Sequence, residues 1–241
     1  MSEFNRPEVF VSEERETLGD YYARVFSLMG FGLVITSIVA FFGYRSLVSG
    51  GIIYHLLIGP SATFVMLGLF IAELGIAIAM GRGLMTFSPS TSRTLFFIYS
   101  ALTGITFSVL PAAYGVSTMF VAFIFAAVLF ASCGIIGKTT SVDLSQFRGL
   151  LYGALLAVII MSVLSIFIPV LRHNLLIGYL GLIVFLGLTA YDMQKIKAFY
   201  YNVEEGDVKD NLAIYAAFQL YLDFINILLY ILRILGNRNR N

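Results

Sequence analysis

Charge is what this chain has least of. Of its 241 residues only 12% are charged while 59% are hydrophobic, and the mean hydropathy is +0.90. Soluble domains carry about 25% charged residues, so a soluble globule is excluded and an integral membrane protein is implied. Cysteine is nearly missing. The one present, Cys133, excludes an internal disulfide framework and any Cys-based metal cluster. Its neighbours Ala131, Ser132 and Gly134 are small, so it reads as part of a packed helix face. The two histidines, His55 and His173, fall in expected loops without ligand-like neighbours and read as solvated. No Ser–His pairing occurs inside an apolar run, which leaves no foothold for a serine intramembrane hydrolase. A net charge of +1 gives no reason to expect nucleic acid. A cleavable signal, with its basic start and short apolar core, is also missing. Residues 1–24 are instead polar and acid-rich, with Glu3, Glu8, Glu13, Glu14, Glu16 and Asp20, and are expected to form a retained cytoplasmic tail.

What is present is a succession of long apolar runs. A spanning helix needs about 20 mostly apolar residues, and seven candidates run approximately over 25–43, 60–80, 94–111, 116–136, 149–169, 175–194 and 211–235. Pro60, Pro111 and Pro169 fall at span ends, where a missing backbone donor does least harm. Connections are short except for the tail and YNVEEGDVKDN (201–211), and no tandem repeat is visible. The expected fold is all-α: one polytopic transmembrane domain over residues 25–241. Lys and Arg set orientation. With the N-terminus inside, the inside segments hold Arg6, Arg15, Arg24, Arg82, Arg93, Lys138, Arg148, Lys195, Lys197 and Lys209, while the outside loops hold only Arg45 and Arg172. The N-terminus is therefore expected in the cytoplasm. An odd span count places the C-terminus outside; the basic end RILGNRNRN pulls against that, and an incompletely spanning seventh segment would put both termini inside.

Nearly all acidic residues lie in the tail or loops. The exceptions are Glu73 in span two, Asp192 at the cytoplasmic end of span six and Asp223 in span seven. An ionisable group within a span costs roughly 2.5–3.5 kcal/mol on insertion scales and is by default a functional hypothesis. Asp223 shares a helix face with Gln219, Asn226, Tyr230 and Arg233, spaced by steps of three and four. Such a stripe either lines a wet path or packs centrally against other polar groups. Spans six and seven are antiparallel neighbours across one loop, so Asp192 can face Asp223 if span six continues helically past its lipid limit. Counting from Asn211, however, Asp223 lies roughly 18 Å along the helix, deeper than an interfacial Asp192. Arg82 arrives at the same face as Asp192, with Glu73 deeper in span two. The stretch GKTTSVDLSQF (137–147) lacks the upstream glycine spacing of a phosphate-binding loop.

At these residues the chain resembles a known family. YSALTGIT (99–106), GKTTSVDLSQF (137–147), VFLGLTAYDMQKIK (184–197) and LYLDFINILLYILRILGN (220–237) look like signature stretches of the Bax inhibitor-1 family, and in particular of its bacterial inner-membrane members. The resemblance covers most of the chain from span one onward. It implies seven helices around a central C-terminal one, and a pH-sensitive calcium leak attributed to an aspartate pair in the sixth and seventh helices. AYDMQKIK places that pair's first member on Asp192 and LYLDFIN its second on Asp223, which would also be the sites of transient calcium contact. Arg82 is the nearest candidate for a second-helix arginine that pairs with the sixth-helix aspartate, and Glu73 for a second-helix acid. Calcium would be the permeant ion; no cofactor is expected.

Two carboxylates within hydrogen-bond reach cannot both ionise easily and share a proton, which gives a gate between the two helices. Two other readings stand beside it. One is a regulatory membrane protein that binds partners such as a quality-control protease through its tail or helix faces. The other is an aspartyl intramembrane protease, for which Tyr191-Asp192 fits the first half of the motif. Leu222-Asp223 lacks the flanking glycines of the second half, and no enzymatic activity is expected.

Overall fold

The structure, a computed structural model, describes residues 16–168, 174–204 and 206–238. Most of the acidic tail, Pro169, Arg172, His173 and Arg240 lie outside them. Hydrocarbon offers backbone N–H and C=O groups no partners, so an apolar chain of this kind satisfies them internally as helix. The helices are α1 (Leu18–Val48), α2 (Ile52–Leu57), α3 (Ala62–Arg82), α4 (Pro89–Phe107), α5 (Leu110–Tyr114), α6 (Val116–Thr139), α7 (Arg148–Phe167), α8 (Leu175–Asn202) and α9 (Asp207–Arg238). Short 3₁₀ turns follow α3 and precede α7. Seven segments, all but α2 and with α4 and α5 counted as one, are long and apolar enough to cross a membrane. The fold is a polytopic bundle of seven spanning helices.

Local chemistry sets the helix starts. The Thr17 side chain accepts from the Asp20 amide while Asp20 reaches back to the Thr17 amide, a reciprocal cap that opens α1 seven residues before the expected span. Ser88 caps α4 with Pro89 in its first turn, and Asn174 caps α8 by accepting from the Leu176 amide. Helices α8 and α9 run past the apolar limits, to Asn202 and from Asp207 respectively.

Helix α9 is the axis. It packs on α1, α4, α6 and α8, and 72% of its spanning window is buried. Its buried face, including Ala213, Ala217, Leu220, Tyr221 and Ile227, forms the centre of the hydrophobic core. Helices α3 and α7 lie on the rim and keep most of their apolar surface outward. Close approach depends on small residues at two points. A Cβ at Gly137 would collide with the Ala190 carbonyl where α6 meets α8, and one at Gly181 with the Tyr230 ring where α8 meets α9.

Candidate functional site

Helices α8 and α9 are antiparallel, and their register can be read from side-chain pairs. Gly178 faces Ile234, Gly181 faces Tyr230, and Lys195 reaches Gln219. Asp192 and Asp223 fall in step within that series. The depth mismatch expected from sequence disappears because Asp192 is buried within the bundle and does not end its helix. Helix α8 continues ten residues beyond it to Asn202, roughly 15 Å further.

Both carboxylates are buried, with Asp192 6% and Asp223 4% exposed. Asp192 and Lys195 are the charged groups within electrostatic reach of Asp223. No hydrogen bond joins the two carboxylates among the described residues, and Asp192 Oδ1 and Asp223 Oδ2 are each buried without a hydrogen-bond partner. The cation beside Asp192 is a lysine of the same helix. Lys195 Nζ lies 3.7 Å from Asp192 Oδ1 and donates to Gln219 Oε1 at 2.9 Å. Three rings surround the ammonium: Phe199 at 5.4 Å, Tyr215 at 5.5 Å and Tyr191 at 5.9 Å from their centroids. Such faces attract a desolvated cation, which suits the buried Lys195 ammonium.

The expected site residues divide accordingly. Asp192, Asp223 and Gln219 come together. Asn226 does not reach across, because its amide donates to the Leu222 carbonyl of its own helix at 2.7 Å. Arg82 is exposed at the end of α3 and takes part in none of the ion pairs among the described residues; the cation beside Asp192 is Lys195. Glu73 belongs to a second polar cluster on the other side of α9. Thr106 Oγ1 donates to Glu73 Oε1 at 3.0 Å, Tyr99 and Tyr221 lie within its electrostatic reach, and Tyr221 Oη bonds Thr36 Oγ1 at 2.7 Å. Sequence reasoning missed Lys195 and its rings. The signal was there, since Lys195 is one turn beyond Asp192 and Tyr215 one turn before Gln219.

Polar ties close the end of the bundle nearest the site. Gln194 donates to the Val142 carbonyl and accepts from the Leu144 amide, both at 2.8 Å, so GKTTSVDLSQF is strapped to α8 two residues after Asp192. Within that strap, Ser145 bonds hold the Asp143 carboxyl below the usual carboxylate range. Tyr22 Oη donates to the Met193 carbonyl at 3.2 Å. Arg24 pairs with Glu16 and Asp210, and Asn211 Nδ2 donates to the Phe87 carbonyl.

A family model described as inhibitor of apoptosis-promoting Bax1 matches residues 18–240. The chain belongs to the Bax inhibitor-1 family. Among its relatives are the inner membrane protein YbhL of Escherichia coli, 33% identical over 99% of this chain and 100% of the relative. An uncharacterised protein of Borreliella burgdorferi is 33% identical over 95% and 97% of the two chains, and one of Rickettsia prowazekii 34% identical over 92% of each. These similarities run through both stretches that carry Asp192 and Asp223, and they identify this Bax inhibitor-1 family chain as a membrane protein across nearly its whole length.

Among the described residues no group of three or more His, Cys, Asp or Glu side chains is arranged to hold a metal.

Proposed function

We propose that the chain is a pH-sensitive calcium leak protein of the bacterial inner membrane, gated where Asp192 on α8 meets Asp223 on α9. The observation that carries this reading is the pair of buried carboxylate oxygens without hydrogen-bond partners, set beside a lysine in an aromatic surround. Buried charges persist where they are paired, and an unpartnered buried polar atom marks either strain or a transient ligand.

Lys195 supplies one positive charge. When the two carboxylates take up one proton between them, the site is neutral as it stands and no net charge repels α8 from α9. A divalent cation needs that proton gone, because carboxylates bind metal ions only when ionised. It also needs the Lys195 ammonium to withdraw toward Phe199 and Tyr215. Protons and calcium therefore compete, and site affinity for calcium falls as pH falls. The N-terminal end of α1, the end of α8 and the start of α9 form the cytoplasmic face in this reading, with Gln194, Arg24 and Asn211 bracing the gate from that side.

The test is calcium entry into liposomes containing the protein, followed between about pH 5 and pH 8. Asp192→Asn and Asp223→Asn should each lower flux at least roughly tenfold and flatten its pH response, the scale expected for removing one member of a close buried charge pair. Unchanged flux and pH response in both variants would remove the model. If those variants leave flux intact while deletion of residues 1–20 abolishes partner capture, the regulatory reading takes its place.

A further inference from the structure

A groove of about 540 Å³, with no residue of α8 in its lining, opens between α1, α6 and α9 beside Phe107 of α4 and Pro111 of α5. That volume lies in the range of roughly 300–1,000 Å³ typical of small-molecule sites. Its walls include Leu33 and Ala40 of α1, Met119 and Phe120 of α6, and Ile225 and Leu228 of α9. Three hydroxyl-bearing side chains line it, Thr36, Ser37 and, at one end, Tyr44, and the first two are already satisfied. Thr36 Oγ1 bonds Tyr221 and the Ser100 carbonyl, and Ser37 Oγ donates to the Leu33 carbonyl at 2.8 Å. Away from Tyr44 the groove thus offers neither water nor an ion a partner, only apolar surface.

At one end the chemistry changes. Tyr44 lines both this groove and a neighbouring depression formed with Arg45, Ser46 and Ser49. Arg45 follows the groove residue Phe41 by four positions, so it stands one turn beyond it on the same helix face. It is exposed, and its guanidinium takes part in none of the ion pairs or side-chain hydrogen bonds among the described residues. The start of α1 is tied to Met193 and Asp210, so Arg45 at its other end lies near the opposite membrane surface. An apolar slot within the spanning region, ending in an unpaired cation one turn further out, matches a molecule with a hydrocarbon chain and an anionic head.

We propose that this groove is a binding site for an anionic phospholipid, one acyl chain lying between α1, α6 and α9 and the headgroup phosphate on Arg45. The occupant would wedge α1 from α6 against the same helix that carries Asp223, on its opposite flank.

The chain contains no tryptophan, which makes a direct test available. A single tryptophan is placed in the groove by Phe120→Trp, and in a separate protein on the lipid-facing rim by Phe64→Trp. Each full-length chain is reconstituted in phosphatidylcholine vesicles containing a small fraction of phosphatidylglycerol with brominated acyl chains, which quench nearby tryptophan. The groove reporter should sense the brominated lipid at roughly fivefold above its bulk fraction, the scale of one arginine near an anionic lipid, while the rim reporter follows the bulk fraction. Adding Arg45→Gln should return the groove reporter to the bulk curve, and brominated phosphatidylcholine should show no enrichment. Excess inorganic phosphate should not displace the lipid. A groove reporter that follows the bulk curve from the start, or enrichment that survives Arg45→Gln, overturns the proposal. So does a groove reporter shielded from all brominated lipid, which would mean that a second copy of the chain fills the slot. Because Phe120 is 65% exposed and Arg45 is on the surface, these variants do not disturb the core.

Discussion

Of the stretch that would cross a bilayer, 72% is buried in α9 and 6% in α3, although α3 is the more apolar of the two. In water the order would be reversed, with the most hydrophobic helix innermost. In lipid the outside is already apolar, so hydrophobicity gives a helix no reason to move inward. What moves a helix to the centre is polar side chains that need partners and small residues that allow close packing. Helix α9 has both: Gln219 and Tyr221 find partners on α8 and α1, while Ala213, Ala216 and Ala217 are buried against neighbours. Helix α3 carries a single acid, Glu73, satisfied by one hydroxyl of α4, and turns the rest of its surface outward. Polarity on a spanning helix is therefore the better guide to which helix sits at the centre.

Substitutions on the two helices should separate accordingly. The largest stability effect is expected at Ala217, which is fully buried. Ala217→Phe should destabilise the protein by roughly 1–3 kcal/mol or more through overpacking, read as a fall in thermal midpoint in detergent. Phe64→Ala on α3, where the ring is 79% exposed, should change it by less than about 0.5 kcal/mol. Equal losses would mean that α3 is not on the rim.

Next comes the cation within the site. Lys195→Met keeps the length of the side chain and removes the charge beside Asp192. Calcium affinity and flux should both rise, by roughly tenfold given the coupling of close buried charges. A fall in both would show that Lys195 builds the site instead of competing for it. The smallest effect belongs to the second cluster. Tyr221→Phe loses the bond to Thr36, which keeps the Ser100 carbonyl, so about 0.6 kcal/mol of stability should go with calcium flux unaltered. Altered flux would join the Glu73 side of α9 to the gate.

Much of this was legible in the residues. Seven apolar runs gave the span count, and the starts of α6, α7 and α8 fall within a residue of those expected. The ends were harder to place because caps and polar extensions are not apolar. Thr17 and Asp20 start α1 ahead of its hydrophobic run, and α8 keeps its helix through the charged stretch Asp192–Asn202. That extension also explains why Asp192 was expected at the interface and is instead enclosed. That Asp192 and Asp223 would sit on neighbouring helices followed from the antiparallel connection between spans six and seven, and they are buried there at matching levels. The choice of cation did not. A positive charge at the end of span two was expected to serve Asp192, but a lysine one turn away on the same helix reaches it without crossing the bundle. Local geometry of three residues supplied what long-range reasoning about Arg82 did not.

The claim on which the account rests is that one proton, held between Asp192 and Asp223, must leave before calcium enters. Titrating the purified protein with calcium in a weakly buffered solution near pH 6.5, within about one unit of the range where such competition shows, measures it directly. The wild-type chain should release about one proton per calcium bound, and Asp223→Asn should release none. Calcium binding without proton release, or the same release from Asp223→Asn, would contradict the account.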